Sequence, residues 1–253
     1  MKILITGGNG FIGRNLTSNL VGFDVVSVTR TDFDLCNTHQ VNEYFSDKYF
    51  DAVIHTAIIG GSRLKNDDYN VLCTNIIMYH NLVSNKSHFG KLINIGSGAE
   101  VCKTNELYGL SKRIILNSVL SNDNFYNVRV YGLFGVDELN SRFIKSNIIR
   151  YINKEPMIVD SDKYMSFFYI DDFVKVIKHY LDDENPMKVF DCVYEHNETL
   201  LTIAQLINKL DGYKVDINVN GIDVPYVGKY TDIGIDYIGL ENGIKKMYKI
   251  LKQ

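Results

Sequence analysis

The sequence predicts an α/β chain built around a doubly wound parallel sheet, and three observations carry that expectation. Short apolar, β-branched runs recur along the first half, and the stretches between them have the periodicity of helices. A glycine-rich turn also stands where the first run meets the first helical stretch. Strands buried on both faces read as continuous apolar runs rather than alternating ones, and strand–helix–strand order implies parallel pairing.

Taken in order, the strand-like runs are "KILIT" at 2–6, "DVVSVT" at 24–29, "DAVIHT" at 51–56, "KLINIG" at 91–96 and "YNVRVYG" at 126–132. Helical patterns separate them in "FIGRNLTSNL", "HQVNEYFSDKY" and "NVLCTNIIMYHNLVSN". After about residue 135 the order loosens. "SFFYIDDFVKVIKHYL" and "KVFDCVY" add a strand, a helix and a strand, and the tail reads as a small lobe of helix ("LLTIAQLINKL"), strand ("YKVDINVN") and closing helix ("LENGIKKMYKIL"). The expected division is a cofactor-binding core over 1–135 with 166–195, and a small C-terminal α/β substrate lobe over 136–165 with 196–253.

A chain of 253 residues can bury a sizeable core, and its formal net charge of −3, with no basic stripe, argues against a nucleic-acid partner. Cys36, Cys73, Cys102 and Cys192 are widely spaced with no CxxC pair, so reduced, buried thiols are expected rather than disulfides or a zinc site. The amino terminus passes from one lysine into an apolar run and then into glycines, leaving no room for a signal peptide. No apolar run approaches the ~20 residues of a membrane-spanning helix. The expectation is a soluble, cytoplasmic protein.

"ITGGNGFIGR" places Gly7, Gly10 and Gly13 between strand and helix, with Phe11 and Ile12 opening that helix. Glycines there let the backbone turn tightly and approach a pyrophosphate that faces the helix N-terminus. The second strand ends in "VTRTDFDL". An acid at the tip would hold an NAD ribose, whereas a cation accommodates the additional phosphate of NADP. Thr29 and Arg30 occupy the tip, which favours NADP(H) over NAD(H).

In "INIGSGAEVCKTNELYGLSK", Ser97 is followed by Tyr108 and Lys112, the last two spaced to share one face of a helix. That spacing alone fits an ordinary amphipathic face equally well. With the other motifs assembled, the chain resembles the extended short-chain dehydrogenase/reductase family over most of its length. The matching residues are "TGGNGFIG", Asp34-Leu35, "VIHTA", Ser97, the Tyr108-Gly-Leu-Ser-Lys112 motif and "RVYGLFG". Within that family, "VTRTDFDL", "VIHTAIIGG" and "GLENGIKKMY" look most like the GDP-fucose synthase type of nucleotide-sugar reductase.

The resemblance implies a Rossmann core, NADP(H) as cofactor, a nucleotide-diphosphate sugar as substrate, and a homodimer. Asp34 and Leu35 would edge the adenine, Thr56 and Ala57 would border the cofactor, and Asn75 would order the backbone of the site. Tyr108 would give its proton to a carbonyl oxygen while hydride arrives, Ser97 would polarise that oxygen, and Lys112 would lower the tyrosine pKa and hold the nicotinamide ribose. Pairing would use the helices around 66–85 and 105–120, where Val71, Leu72, Ile76, Ile114, Ile115 and Leu116 recur at helical spacing.

Departures from that pattern also carry meaning. Enzymes that epimerise before reduction use a cysteine two residues after the serine and a histidine on a later helix; Ala99 and Arg142 stand at those positions. Neither moves a proton at neutral pH. Cys102 could be a displaced thiol, although a buried structural one is expected. Dehydratases carry an Asp-Glu pair directly after the active hydroxyl, where Gly98 and Ala99 stand, and Glu100 falls one position too late. His55 is expected to pack rather than react. Asp171 and Asp172 read as helix-start acids, and His80, His88, His179 and His196 are scattered, so no metal is expected. The leading expectation is therefore an NADPH-dependent 4-ketoreductase of nucleotide sugars without epimerisation. An NAD-dependent nucleotide-sugar 4-epimerase and a non-catalytic NAD(P)-binding scaffold or sensor remain as alternatives.

Overall fold

Ile3 to Thr6 are buried without a break, as a strand covered on both faces requires, and they form a strand paired on both of its edges. The structure, a computed structural model, describes residues 1–62 and 66–253. The chain runs β1 (Lys2–Thr6), α1 (Phe11–Asn19), β2 (Asp24–Val28), α2 (Thr38–Phe45), β3 (Phe50–His55), α3 (Tyr69–Val83), β4 (Phe89–Ser97), α4 (Ala99–Cys102), α5 (Leu107–Leu120) and β5 (Phe125–Val130). It continues with β6 (Gly132–Phe134), α6 (Phe143–Ile152), β7 (Met157–Val159), β8 (Tyr164–Met165), β9 (Phe167–Tyr169), α7 (Ile170–Asp182), β10 (Val189–Cys192), β11 (Glu198–Thr199), α8 (Leu200–Ile207), β12 (Ile217–Val219) and α9 (Leu240–Leu251).

The sheet has the order β10-β5-β4-β3-β1-β2, with β1 parallel to β2 and β3, and β3 parallel to β4. This is the doubly wound arrangement the sequence predicts. The run expected at 126–132 is broken: β5 stops at Val130, and β6 starts at Gly132 to pair with β9. Gly132 lies so close to the Phe167 ring that a Cβ would come within 2.8 Å of it.

The chain divides into two compact units, residues 1–129 with 177–190, and residues 130–176 with 191–253. In the first, Val41 and Phe45 of α2, Leu82 of α3 and Val119 of α5 cover Leu4 and Val53 of the sheet. Each such aliphatic or aromatic side chain contributes ~1.5–3 kcal/mol when fully buried. Asn37 and Asp68 cap α2 and α3 by accepting from the N–H groups of Gln40 (3.2 Å) and Val71 (3.2 Å), each cap adding about 1 kcal/mol. One glycine is essential to the site. A Cβ at Gly109 would lie 2.7 Å from the Ala99 carbonyl oxygen, so α5 can start against α4 only because that side chain is absent.

In the second unit β7 pairs in parallel with β12, and β8 pairs antiparallel with β11. Asp172 does more than the helix-start role the sequence suggests. Fully buried, it accepts from the Tyr194 hydroxyl (2.7 Å) and from the N–H groups of Ile238 (2.8 Å) and Gly239 (3.0 Å), pinning the entrance to α9. The expectation of four buried thiols holds for Cys192 alone. Cys36 is half-buried, while Cys73 on the outward face of α3 and Cys102 at the end of α4 are exposed, because neither position points into the core. Among the described residues no helix is long and apolar enough to cross a membrane.

Candidate active site

The turn between β1 and α1 is closed by glycines. Gly7 has φ +74°, a left-handed conformation that glycine adopts without strain, and a Cβ there would sit 2.8 Å from the Ala57 backbone. A Cβ on Gly13 would run into the Gly7 carbonyl. Gly10 is the extended N-cap of α1; no side chain caps the helix and its first turn, opened by Phe11 and Ile12, holds no acid. The first-turn N–H groups therefore lack intrahelical partners, and the positive end of the helix dipole faces outward. Thr56 donates to the Thr6 carbonyl (2.7 Å), fixing the end of β3 beside the turn. This cradle fits a pyrophosphate.

At the tip of β2, Asp32 accepts from the N–H (2.7 Å) and hydroxyl (2.9 Å) of Thr29, and those bonds hold its carboxyl below the usual range. Arg30 is 84% exposed and pairs with Asp34 at 3.0 Å. The other oxygen of Asp34 accepts from the Cys36 N–H (2.9 Å), the main cause of its lowered pKa, with Arg30 adding to it. Leu35 is buried beneath this loop.

Ser97 ends β4. Its Oγ accepts from the Ala99 N–H (3.2 Å), which leaves the hydroxyl hydrogen to donate elsewhere. Tyr108 lies in the first turn of α5, half-buried, with its ring over Gly61; a Cβ on Gly61, whose φ is +69°, would come within 2.8 Å of the ring's Cζ. One turn further on, Lys112 is buried and its Nζ donates to the Ile95 carbonyl (2.6 Å). Burial pulls its pKa down to about 8, and the charge of Glu100 opposes that fall. Asn75 accepts from the Ile59 N–H (3.0 Å) and donates to the Ile59 carbonyl (3.0 Å) and to Ser111 Oγ (3.2 Å), so it ties the segment after β3 to α5. His55 is hydrogen-bonded to Thr6 Oγ1 (2.8 Å), and burial, helped by Lys112, drives its pKa to about 3. A neutral, packed ring is the result.

One group was missed in the sequence. Glu100, set aside there as displaced by one position, is 2% exposed. Its Oε1 accepts from Arg129 Nε (2.6 Å) and Asn127 Nδ2 (2.8 Å), and its Oε2 accepts from the Ser97 N–H (3.3 Å). Asn94 joins the network by donating to Asn127 Oδ1 (2.6 Å). An arginine inside the apolar strand "FYNVRV" and a glutamate two residues from a turn were the available signal. Burial raises the Glu100 pKa, while Arg129 and the Ser97 N–H act against that rise.

Arg142 belongs to the second unit, at the N-cap of α6, half-exposed, with its Nε 4.0 Å from Glu138. Glu138 is buried, its Oε1 has no partner among the described residues, and burial raises its pKa to about 8. A hollow of about 400 Å³ lined by Tyr164, Glu195, His196 and Pro225 also lies in the second unit and holds none of the residues above.

Residues 3–192 match the NAD dependent epimerase/dehydratase family. Among curated proteins, the GDP-L-fucose synthase of Azorhizobium caulinodans is 30% identical over 217 residues, covering 70% of this chain and 69% of the relative. The CDP-abequose synthase of Yersinia pseudotuberculosis is 22% identical over 233 residues, covering 82% of each. Among solved structures, an NADP-bound GDP-mannoheptose C4 reductase from Campylobacter jejuni superposes with a TM-score of 0.79 at 18% identity, covering 100% of this chain and 98% of that one. The NAD complex of UDP-glucose 4-epimerase from Thermus thermophilus gives 0.79 at 16%, covering 98% of each. At such identities these two structures establish the fold.

Proposed function

The chain belongs to the NAD dependent epimerase/dehydratase family, and from that premise we propose that it reduces the C4 keto group of a nucleotide-diphosphate sugar with NADPH and leaves the neighbouring centres unchanged. The observation that carries this reading is the Lys112 ammonium held in the protein interior one helical turn after Tyr108, beside the strand that ends in Ser97. NADPH, when bound, supplies a hydride to the carbonyl carbon. Tyr108 gives its phenolic proton to the carbonyl oxygen, and solvent restores that proton after product leaves. Ser97 donates a hydrogen bond to the same oxygen, stabilising the negative charge that develops there. Lys112 favours the phenolate form of Tyr108 by its charge and offers its remaining N–H groups to ribose hydroxyls. Gly7, Gly10 and Gly13 with the start of α1 would hold the pyrophosphate, and Arg30 the 2′-phosphate.

Selectivity for reduction alone rests on Ala99 and Arg142, which stand at the sequence positions of an epimerising cysteine and histidine and neither of which is a base at neutral pH. The test is turnover of GDP-, CDP-, UDP- and dTDP-linked 4-keto-6-deoxy sugars in deuterated water with unlabelled NADPH. One of these should be reduced with loss of absorbance at 340 nm and no deuterium at C3 or C5. Enzyme-dependent incorporation at either carbon would overturn the reduction-only reading.

A second reading is favoured by the tip of β2, where Arg30 is already paired with Asp34 and Asp32 stands beside it, the kind of acid that holds an NAD ribose. It is a 4-epimerase with retained NAD, which would convert its substrate with no net consumption of NADPH. For assembly, the reading is a homodimer through α3 and α5. Ile77 and Ile114 are exposed there and Leu72, Ile76 and Leu116 half-buried, whereas Val71 and Ile115 serve the monomer core.

A further inference from the structure

We propose that Glu100 is a positioning residue of the site: its carboxylate locks the Ser97 backbone at the end of β4 to Arg129 and Asn127 on β5, and supplies the buried negative charge that keeps the Lys112 ammonium ionised. Three donors from two strands converge on this one carboxylate, at 2.6, 2.8 and 3.3 Å. Hydrogen bonds to the charged form, one of them from a guanidinium, stabilise a carboxylate that burial alone would neutralise. Among the described residues Lys112 has no comparable partner. Its hydrogen bond from Nζ goes to the neutral Ile95 carbonyl.

The groups around Lys112 leave Glu100 as its counter-charge. On β3, His55 is neutral and its effect on Lys112 is that of an uncharged ring. On α3, Asn75 is uncharged and reaches α5 through Ser111. On α5 itself Tyr108 lies one turn before Lys112, and the only charge beside it, Arg113, is a cation at an exposed position. On α4 stands Glu100, the charge that raises the Lys112 pKa against burial, and on β5 Arg129 acts on Lys112 by holding Glu100 ionised. An ammonium whose pKa has fallen to about 8 is close to losing its proton, so removal of that counter-charge moves it into the neutral range. The catalytic consequence rests on the ketoreductase reading; the electrostatic one does not.

The experiment follows the 13Cε resonance of Lys112 against pH in the full-length, cofactor-free protein, with Lys112→Met assigning the signal. In the parent, the midpoint should lie well below the 10.5 of an unperturbed lysine. Glu100→Gln should lower it by about one unit or more, and Glu100→Asp should restore most of that loss. Arg129→Gln should lower it as well, because Glu100 then takes up a proton. A Glu100→Gln protein that is folded, binds NADPH and titrates Lys112 within a few tenths of a unit of the parent overturns the proposal. If neither variant folds, the parent decides through the 13Cδ shift of Glu100: an ionised carboxylate at pH 7 supports the proposal and a protonated one overturns it. In turnover, the alkaline limb of kcat should move down with the Lys112 midpoint. A moved midpoint with an unmoved limb counts against the ketoreductase role of Lys112 and leaves the Glu100 assignment standing.

Discussion

Two buried glutamates, one in each unit, differ in a way that separates the two parts of this molecule. Glu100 and Glu138 are both withdrawn from water, and burial raises the pKa of each. Glu100 is met by Arg129, Asn127 and the Ser97 N–H, so both of its oxygens are satisfied. Glu138 has Arg142 at 4.0 Å and an Oε1 with no partner among the described residues, and its pKa reaches about 8. Burial is common to both; the donors that oppose it are not. In the first unit both oxygens of Glu100 are satisfied without any ligand, although Asn94 Oδ1 at the edge of its network has no partner among the described residues. The loop of 135–142 carries instead a neutral carboxylic acid at pH 7.

The sharpest way to break this comparison is to ask which unit's residues carry the chemistry. Tyr108→Phe should lower kcat by about 100- to 10,000-fold with NADPH binding retained, measured by absorbance at 340 nm and by titration of cofactor fluorescence. A variant as active as the parent would support the non-catalytic scaffold instead.

The next effect is on stability. An ordinary glutamate in the unfolded chain loses its proton near 4.5, while folded Glu138 keeps it until about pH 8, so its contribution is fully present below 4.5 and is lost as pH rises towards 8. Glu138→Gln removes that dependence. The variant should be more stable than the parent at pH 8–9 by on the order of 2 kcal/mol, and their urea midpoints should converge at pH 4.5. A parent–variant gap that does not change with pH would show that Glu138 is not held neutral.

A smaller change is expected at the cofactor end. Arg30 is highly exposed and paired with Asp34, so solvent discounts its contribution. NADPH should bind more tightly than NADH, and Arg30→Ala should narrow the difference by about 1 kcal/mol in calorimetric titration. Equal affinities in the parent would favour the 4-epimerase reading. Least is expected of the monomer fold in the assembly test: Ile77→Glu with Ile114→Glu should halve the mass seen by light scattering while leaving the thermal midpoint nearly unchanged, since both side chains face outward. A parent that is already monomeric removes the pairing proposal.

What the sequence determined by itself is local. The apolar runs Ile3–Leu4–Ile5 and Ala52–Val53–Ile54 identify β1 and β3, because burial on both faces favours consecutive apolar side chains over alternating ones. Gly7, Gly10 and Gly13 identify the tight turn between β1 and α1, where the backbone conformation or close approaches exclude a Cβ at Gly7 and Gly13, and the four-residue spacing of Tyr108 and Lys112 puts them on one helical face. Contacts between distant residues were decided by the tertiary structure. Glu100 meets Arg129 across 29 residues, and Asp172 meets Ile238 across 66. No periodicity links such pairs, and a glutamate in the first turn of a short helix looks the same in sequence whether it faces solvent or a buried guanidinium. Packing decided that, by removing water from Glu100 and Glu138 alike and supplying donors to both oxygens of only the first of them.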